Sequence, residues 1–239
     1  MLSSPCIIVH GGAYAIPDGK TGASVAGCEN AARVGYAILE AGGSAVDAVE
    51  AAINYLENDQ TFDAGYGSDL NSAGFVEMDA MIMNGADLSC GSVAGIRSVR
   101  NPISVARKVM EQTNHVLLVG EGADLFAREQ GFPFVATEEL ISPHARDVLE
   151  EFLSYHNAVQ SQFASSANPE LDERNVRSHP LRDTHDTVGC VALCKGNLLA
   201  AGTSTGGIAA KRVGRVGDSP LIGSGYICNR YFLPRLYKV

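Results

Sequence analysis

Several features that mark particular classes of protein are missing from this sequence. It has no tryptophan, and its six cysteines form no Cys-x-x-Cys pair and no zinc-finger spacing. The 18 lysine and arginine residues are scattered and the net charge is −9, which argues against a general nucleic-acid binder. No apolar run is long enough to span a bilayer, and the N-terminus has no basic region ahead of an apolar core. We therefore expect no membrane span and no secretory signal.

The composition itself is that of a globular chain. Hydrophobic residues make up 46% of the 239 residues and charged residues 19%, which is enough apolar material for a core in one large domain or two lobes that share a core. Cys190 and Cys194 lie on one face of a predicted strand and are interpreted as packed thiols. These features favour a reducing compartment, so we expect a cytoplasmic protein.

Hydrophobic spacing and capping signals predict two helices near the N-terminus. The first covers about 24–40 and ends at a Gly-Gly pair. The second begins after Ser44, with Asp47 in the position that completes a capping box. Its apolar stripe has helical spacing and consists of Val46, Val49, Ile53 and Leu56.

The remaining elements alternate between strand-like and helix-like segments. Predicted strands cover 6–9, 75–83, 92–99, 116–119, 187–194 and 198–203. Predicted helices cover 102–112, 120–130 and the segment from Pro143 to about His156. The polar, aperiodic segment 157–186 predicts a mobile linker. This arrangement favours a layered α+β domain.

The junction between Asp186 and Thr187 is the most informative position, because a polar stretch ends there and an apolar strand begins. A threonine at a new N-terminus would carry its own base, since an α-amine has a pKa of about 7.7–8.0 and lies within reach of the hydroxyl. That chemistry requires the peptide bond before Thr187 to be broken. On its spacing alone, Thr187 is better explained as an ordinary β-forming residue that opens a strand.

Six further motifs accompany Thr187-Val188-Gly189 along the chain. They are His10-Gly11-Gly12, Gly42 to Val49, Phe62 to Ser68, Glu77 to Ala80, Thr203 to Gly207 and Gly214 to Pro220. In this order, from near residue 6 to about Gly225, the sequence resembles the plant-type L-asparaginase/isoaspartyl peptidase family of N-terminal-nucleophile hydrolases. Seven motifs in one order are far more specific than any single glycine-rich motif.

The resemblance implies a four-layer αββα fold and self-cleavage between Asp186 and Thr187. The products would be an α chain, 1–186, which includes the linker 157–186, and a β chain, 187–239, which together form one domain. The implied activities are hydrolysis of L-asparagine to L-aspartate and ammonia, and removal of β-linked aspartyl residues from isoaspartyl peptides. An α/β heterodimer is expected after cleavage, with a dimer of such heterodimers as an open alternative.

The resemblance also assigns roles to the nucleophile and its neighbour. Thr187 would be the nucleophile, and Thr205 would bond to it and help tune it. No cofactor is implied. No catalytic metal is expected either, because the histidines have no ligand spacing. The turn between Leu56 and Tyr66 resembles the family's loop in which backbone carbonyls hold a structural sodium.

Substrate recognition is implied for the Gly-rich turn that follows. Arg215 would hold the substrate's α-carboxylate and Asp218 its α-ammonium, with Val216 and Gly217 shaping the pocket. The pairing is chemically sound, because a guanidinium matches a carboxylate bidentately and a carboxylate suits an ammonium. Taken alone, Arg215 and Asp218 would instead be read as a surface salt bridge.

Two departures from the family pattern leave alternatives open. Asp186 stands where family members often have glycine, and an aspartate before the threonine resembles the related glycosylasparaginases. A glycosylasparaginase-like amidohydrolase is therefore one alternative, although the sequence shows no signal sequence and no tryptophan for stacking on a sugar. After Gly225, nothing matches the family's Thr-Gly-rich oxyanion segment. We therefore expect a fold that is incomplete on its C-terminal side and a chain of low activity. The further alternative is an inactive truncated isoform that acts as a binding partner.

Overall fold

The computed structural model describes residues 4–13, 16, 18–164, 187–229 and 232–236. Its helices are α1 (Asp18–Glu40), α2 (Ala45–Glu57), α3 (Pro102–Gln112), α4 (Gly120–Glu129), α5 (Thr137–Leu140) and α6 (Pro143–Ala164), with a 3₁₀ turn at Gly65–Gly67. Its strands are β1 (Cys6–His10), β2 (Met78–Asn84), β3 (Cys90–Ile96), β4 (Leu117–Val119), β5 (Val188–Leu193), β6 (Leu199–Thr205), β7 (Tyr226–Asn229) and β8 (Phe232–Leu236). The predicted α+β class is confirmed.

The larger sheet has six strands in the order β1-β5-β6-β2-β3-β4. All neighbouring strands are antiparallel except β3 and β4, which run parallel. β5 and β6 form a hairpin, and its turn donates a hydrogen bond from Asn197 N to Cys194 O at 3.0 Å. This hairpin is inserted between β1 and β2, so strands from distant parts of the chain meet at the centre of the sheet.

Helices α1, α2 and α3 pack on one face of the six-stranded sheet. Helix α2 begins after Ser44, whose hydroxyl accepts a hydrogen bond from Asp47 N while Asp47 bonds Ser44 N in return, so the predicted capping box is confirmed. The predicted apolar stripe is buried and consists of Val46, Val49, Ile53 and Leu56. Each such side chain contributes about 1.5–3 kcal/mol when it leaves water. Burial of this stripe therefore holds α2 against the sheet.

The opposite face of the sheet has its own smaller core. Strand β7 lies over it and buries Tyr226 and Cys228 completely. They pack against side chains from β2, β5 and β6, namely Met81, Met83, Val191 and Ala201. Because side chains alternate along a strand, Val188, Cys190 and Ala192 of β5 point to the helices, and the residues between them point to this second face.

Some predicted boundaries are wrong. Helix α1 starts at Asp18, before the predicted position 24, because its first turns hold Gly19 and Gly22, whose low helix propensity hides the element in the sequence. Helix α6 continues to Ala164, so the first part of the predicted linker, 157–164, is helical. The rest of that linker, 165–186, lies outside the described residues.

The first strand also differs from its prediction. β1 is an edge strand, not a buried one, and Ile8 is 65% exposed. A short apolar run does not reveal whether a strand lies at the centre or the edge of its sheet. The elements α5, β7 and β8 were not predicted at all.

Two further properties concern the cysteines and the helices. All six cysteines are free thiols, and Cys190 and Cys194 are both buried, as expected for packed thiols. In the part of the chain that the structure describes, no helix is both long enough and apolar enough to cross a bilayer.

Candidate active site

The strand register brings Thr187 and Thr205 together. Val188 of β5 pairs with Ser204 of β6, so Thr187, one residue before β5, lies opposite Thr205 at the end of β6. The Thr187 hydroxyl donates a hydrogen bond to Thr205 Oγ1 at 3.2 Å. Thr205 Oγ1 also accepts a hydrogen bond from Gly207 N at 2.9 Å. Thr205 is buried, whereas Thr187 is half-buried.

His10 covers the next position along the same face. It pairs with Gly189 across β1 and β5. A Cβ at Gly189 would lie only 2.2 Å from His10 Nε2, so the ring occupies the space that a side chain would need there. Burial lowers the pKa of His10, which favours a neutral imidazole. The glycine of the Thr-Val-Gly motif is therefore required by the histidine of the His-Gly-Gly motif.

A buried carboxylate continues the row on the other side of Thr205. Asp79 of β2 pairs with Thr205, so Thr187, Thr205 and Asp79 lie side by side where the ends of β5, β6 and β2 meet. Asp79 Oδ1 accepts a hydrogen bond from Gly95 N at 2.9 Å, and Oδ2 accepts one from Gly217 N at 3.0 Å. Burial raises the pKa of Asp79, although these two amides act in the opposite direction.

The turn formed by residues 211–218 lies beside Asp79 and Gly207. A Cβ at Gly207 would lie 2.9 Å from Arg215 Nη1 and 3.0 Å from Lys211 Nζ, so both cations lie beside the backbone that bonds Thr205. Lys211 is buried, and its ammonium donates a hydrogen bond to Glu77 O at 2.6 Å. Burial lowers the pKa of Lys211, against the influence of nearby Asp79. Two neighbouring cations are suited to holding an anion.

The other residues predicted for recognition lie in the same turn. Arg215 is half-buried, while Val216 and Asp218 are exposed at its rim and Gly217 is held against the sheet. Within the described residues, Arg215 and Asp218 form no ion pair with each other. The Arg215 guanidinium lies beside Gly207, and Asp218 is exposed three residues further along the same turn. Asp186 lies outside the described residues.

Residues 3–232 match the family model described as asparaginase. The chain belongs to the asparaginase family. It is 48% identical to the isoaspartyl peptidase/L-asparaginase of Rattus norvegicus over 92% of this chain and 61% of the relative. It is 45% identical to the Homo sapiens protein of that name (93% and 67%) and 46% identical to a plant-type L-asparaginase of Pyrococcus horikoshii (93% and 70%). This family member therefore spans about three fifths to seven tenths of the length of these relatives.

Three charged residues of this candidate site were given no role from the sequence, although the first two belong to one of the seven motifs: Glu77, Asp79 and Lys211. One signal was available, because Glu77 and Asp79 alternate with apolar residues at the start of a predicted strand. Charged side chains on the inward face of a strand must be paired or hydrogen-bonded, which points to a polar site. Their partners in the turn 211–218 lie more than a hundred residues away and could not be named from the sequence.

The loop that resembles the family's sodium site, 56–66, lies next to the end of β6, because Asp63 O accepts a hydrogen bond from Gly206 N at 2.9 Å. It is tightly folded, since a Cβ at Gly65 would lie 2.2 Å from Glu57 O. Carbonyls of this loop accept backbone hydrogen bonds within it, as between Phe62 N and Asp59 O at 3.2 Å. Sodium binding by this loop stays a prediction.

Proposed function

We propose that this protein is an autoprocessing amidohydrolase with Thr187 as its nucleophile. It would convert L-asparagine to L-aspartate and ammonia and hydrolyse β-aspartyl peptides. The observation that supports this most is the 3.2 Å hydrogen bond between the hydroxyls of Thr187 and Thr205, at the start of a strand and beside Arg215. The two activities in the name of the relatives, isoaspartyl peptidase and L-asparaginase, agree with a site for a small zwitterion.

The nucleophile would be activated by its own backbone. Once the preceding peptide bond is cut, the free α-amine of Thr187 accepts the hydroxyl proton as Oγ1 attacks the substrate's side-chain amide carbon. The C–N bond of that amide then breaks, and ammonia leaves with the proton from the α-ammonium. Water hydrolyses the resulting ester and restores the hydroxyl. Thr205 holds Thr187 Oγ1 in one orientation, because its own oxygen is fixed by Gly207 N.

Recognition would depend on the 211–218 turn. Arg215 would bind the α-carboxylate bidentately and Asp218 the α-ammonium, with Val216 and Gly217 shaping the pocket between them. The half-buried guanidinium lies beside Gly207 and thus close to the nucleophile. An amino acid held by both charged ends would direct its side-chain amide toward Thr187.

Maturation would occur at the bond between Asp186 and Thr187. The hydroxyl of Thr187 attacks the carbonyl of residue 186, and the Asp186 carboxylate could assist this N-to-O acyl shift. Water then releases an α chain, 1–186, and a β chain, 187–239, which remain one domain as a heterodimer. The helices, the six-stranded sheet and the β7–β8 pair supply three layers of the proposed αββα sandwich. The six free thiols favour a reducing compartment such as the cytoplasm.

Thr187→Ala tests both the cut and the activity. In the wild-type protein, mass spectrometry should detect a fragment that begins at Thr187, and ammonia should be released from L-asparagine. Thr187→Ala should remain one chain and release none, because the attacking hydroxyl is gone. Thr137→Ala, at the start of the short helix α5, is the matched control and should behave as wild type. A Thr187→Ala protein that is still cut before residue 187 would contradict the proposal.

A further inference from the structure

Two buried carboxylates at the start of β2 reach the turn that carries the proposed recognition residues. Glu77, just before β2, and Asp79, its second residue, are 1% and 0% exposed. Both side chains accept hydrogen bonds from backbone amides of the turn 211–218. A buried carboxylate is costly unless it is well paired, so these contacts require an explanation.

Glu77 holds the middle of the turn. Its two carboxylate oxygens accept a shared hydrogen bond from Gly214 N, at 3.2 and 3.0 Å. Asn71 Nδ2 donates to the same carboxylate at 2.9 Å, and the Arg97 guanidinium forms an ion pair with it. Burial favours the neutral acid, but these donors outweigh it and lower the pKa of Glu77, so the group is ionised at neutral pH.

Asp79 holds the end of the turn. Its Oδ2 accepts the hydrogen bond from Gly217 N, while Oδ1 is occupied by Gly95 N on β3. Since Asp79 also pairs with Thr205 in the sheet, the position of Gly217 is fixed relative to the strand that orients the nucleophile. One side chain thus links the turn to two strands.

The two amides occupy equivalent places in the chain. Gly214 directly precedes Arg215, and Gly217 directly precedes Asp218. We propose that Glu77 and Asp79 are positioning residues that set the separation between the Arg215 guanidinium and the Asp218 carboxylate. They would thereby select ligands whose α-ammonium and α-carboxylate lie on one carbon. This inference rests on the proposed function, because it takes Arg215 and Asp218 as the groups that hold the ligand.

Binding of the reaction product and its analogues tests the proposal without requiring turnover. L-Aspartate carries both groups, succinate lacks the α-ammonium, and 3-aminopropanoate lacks the α-carboxylate. Asp79→Asn keeps the shape of the side chain but can accept only one of its two amide hydrogen bonds. We expect it to bind L-aspartate about tenfold more weakly while succinate binding changes less than twofold. Glu77→Gln should lose about tenfold for L-aspartate while 3-aminopropanoate binding stays near wild type.

The matched control is Glu50→Gln, which changes a half-buried carboxylate of α2 that pairs with Arg107 on another part of the surface. It should bind L-aspartate as wild type does. In turnover assays, both test variants should raise KM for L-asparagine about tenfold with less than threefold change in kcat. Their self-cleavage should proceed at the wild-type rate. A general structural defect would instead weaken all three ligands equally and lower kcat.

The outcomes separate the two proposals. If the wild type hydrolyses asparagine and both variants bind L-aspartate normally, the positioning role is wrong and the proposed function stands. If the wild type binds L-aspartate without turnover, the proposed function is wrong, and the analogue series still decides the positioning role. A wild type that does neither overturns both. If Glu77→Gln fails to melt cooperatively, the binding data for Asp79→Asn alone test the positioning role. If neither variant folds, the carboxylates serve the whole fold and the positioning role is wrong.

Discussion

At the scale of single residues, Glu57 has an unusual carboxyl group, on the helix that packs against the six-stranded sheet. It is fully buried at the end of α2, and burial raises its pKa to about 8. Hydrogen bonds from Asn101 Nδ2 (3.0 Å) and Ile103 N (3.0 Å) lower the pKa of Glu57 without cancelling the effect of burial. Glu57 is therefore a neutral acid at pH 7, held by Asn101 and Ile103.

The pKa of Glu57 predicts a pH dependence of stability. Because the folded-state pKa of about 8 exceeds the ordinary value of 4.5, the contribution is fully present below pH 4.5. It is lost as the pH rises through 8, at about 1.4 kcal/mol per pH unit, since only the folded state still holds the proton. Glu57→Gln should remove this slope, and Asn101 can turn its amide to offer oxygen to the new NH₂ group.

Urea unfolding of both proteins between pH 5 and pH 9 measures this difference. As the pH rises, the free energies of unfolding of the wild type and of Glu57→Gln should converge, or that of Glu57→Gln should become the larger. Glu129→Gln, on the surface at the end of α4, is the control and should leave the slope unchanged. Parallel curves for the wild type and Glu57→Gln would mean that Glu57 is ionised in the fold.

At the scale of elements, prediction from sequence depended on whether the signal was local. α3 was predicted with its observed bounds, because Pro102 at its start is a signal carried by the helix's own residues. The β7 strand was missed, since it is stabilised by packing Tyr226 onto a sheet face built from distant segments. The same distinction explains which residues of the candidate site could be predicted. Thr187, Thr205 and Arg215 lie in recognisable motifs, whereas the roles of Glu77 and Asp79 depend on long-range contacts.

The capping box of α2 can be tested as a property of that element. Ser44→Ala removes the acceptor for Asp47 N and should lower the free energy of unfolding by about 1 kcal/mol. Ser44→Asp should retain most of it, because a carboxylate also caps well. Thermal or urea unfolding of the three proteins at neutral pH measures the order. Equal stability of Ser44→Ala and the wild type would show that packing alone defines the start of α2.

At the scale of the whole molecule, the sheet order decides what cleavage before Thr187 would do. Strand β5 pairs with β1 over five residues, and β6 pairs with β2 over six, so the later hairpin has earlier strands on both sides. We predict that the two fragments stay together in native mass spectrometry and separate only in denaturant. The uncut Thr187→Ala protein should give one mass in both conditions. Release of the 187–239 fragment from a natively folded sample would contradict this view of the sheet.

The same strand order has a consequence for the birth of the protein on the ribosome. The pairing of Cys6 with Leu193 joins residues made far apart in time. At about 5–20 residues per second, the roughly 190 residues between them take about ten to forty seconds to translate. During that interval β1 has been synthesised but its only neighbour in the six-stranded sheet has not. An apolar segment that waits so long is a natural client for a chaperone that acts during translation.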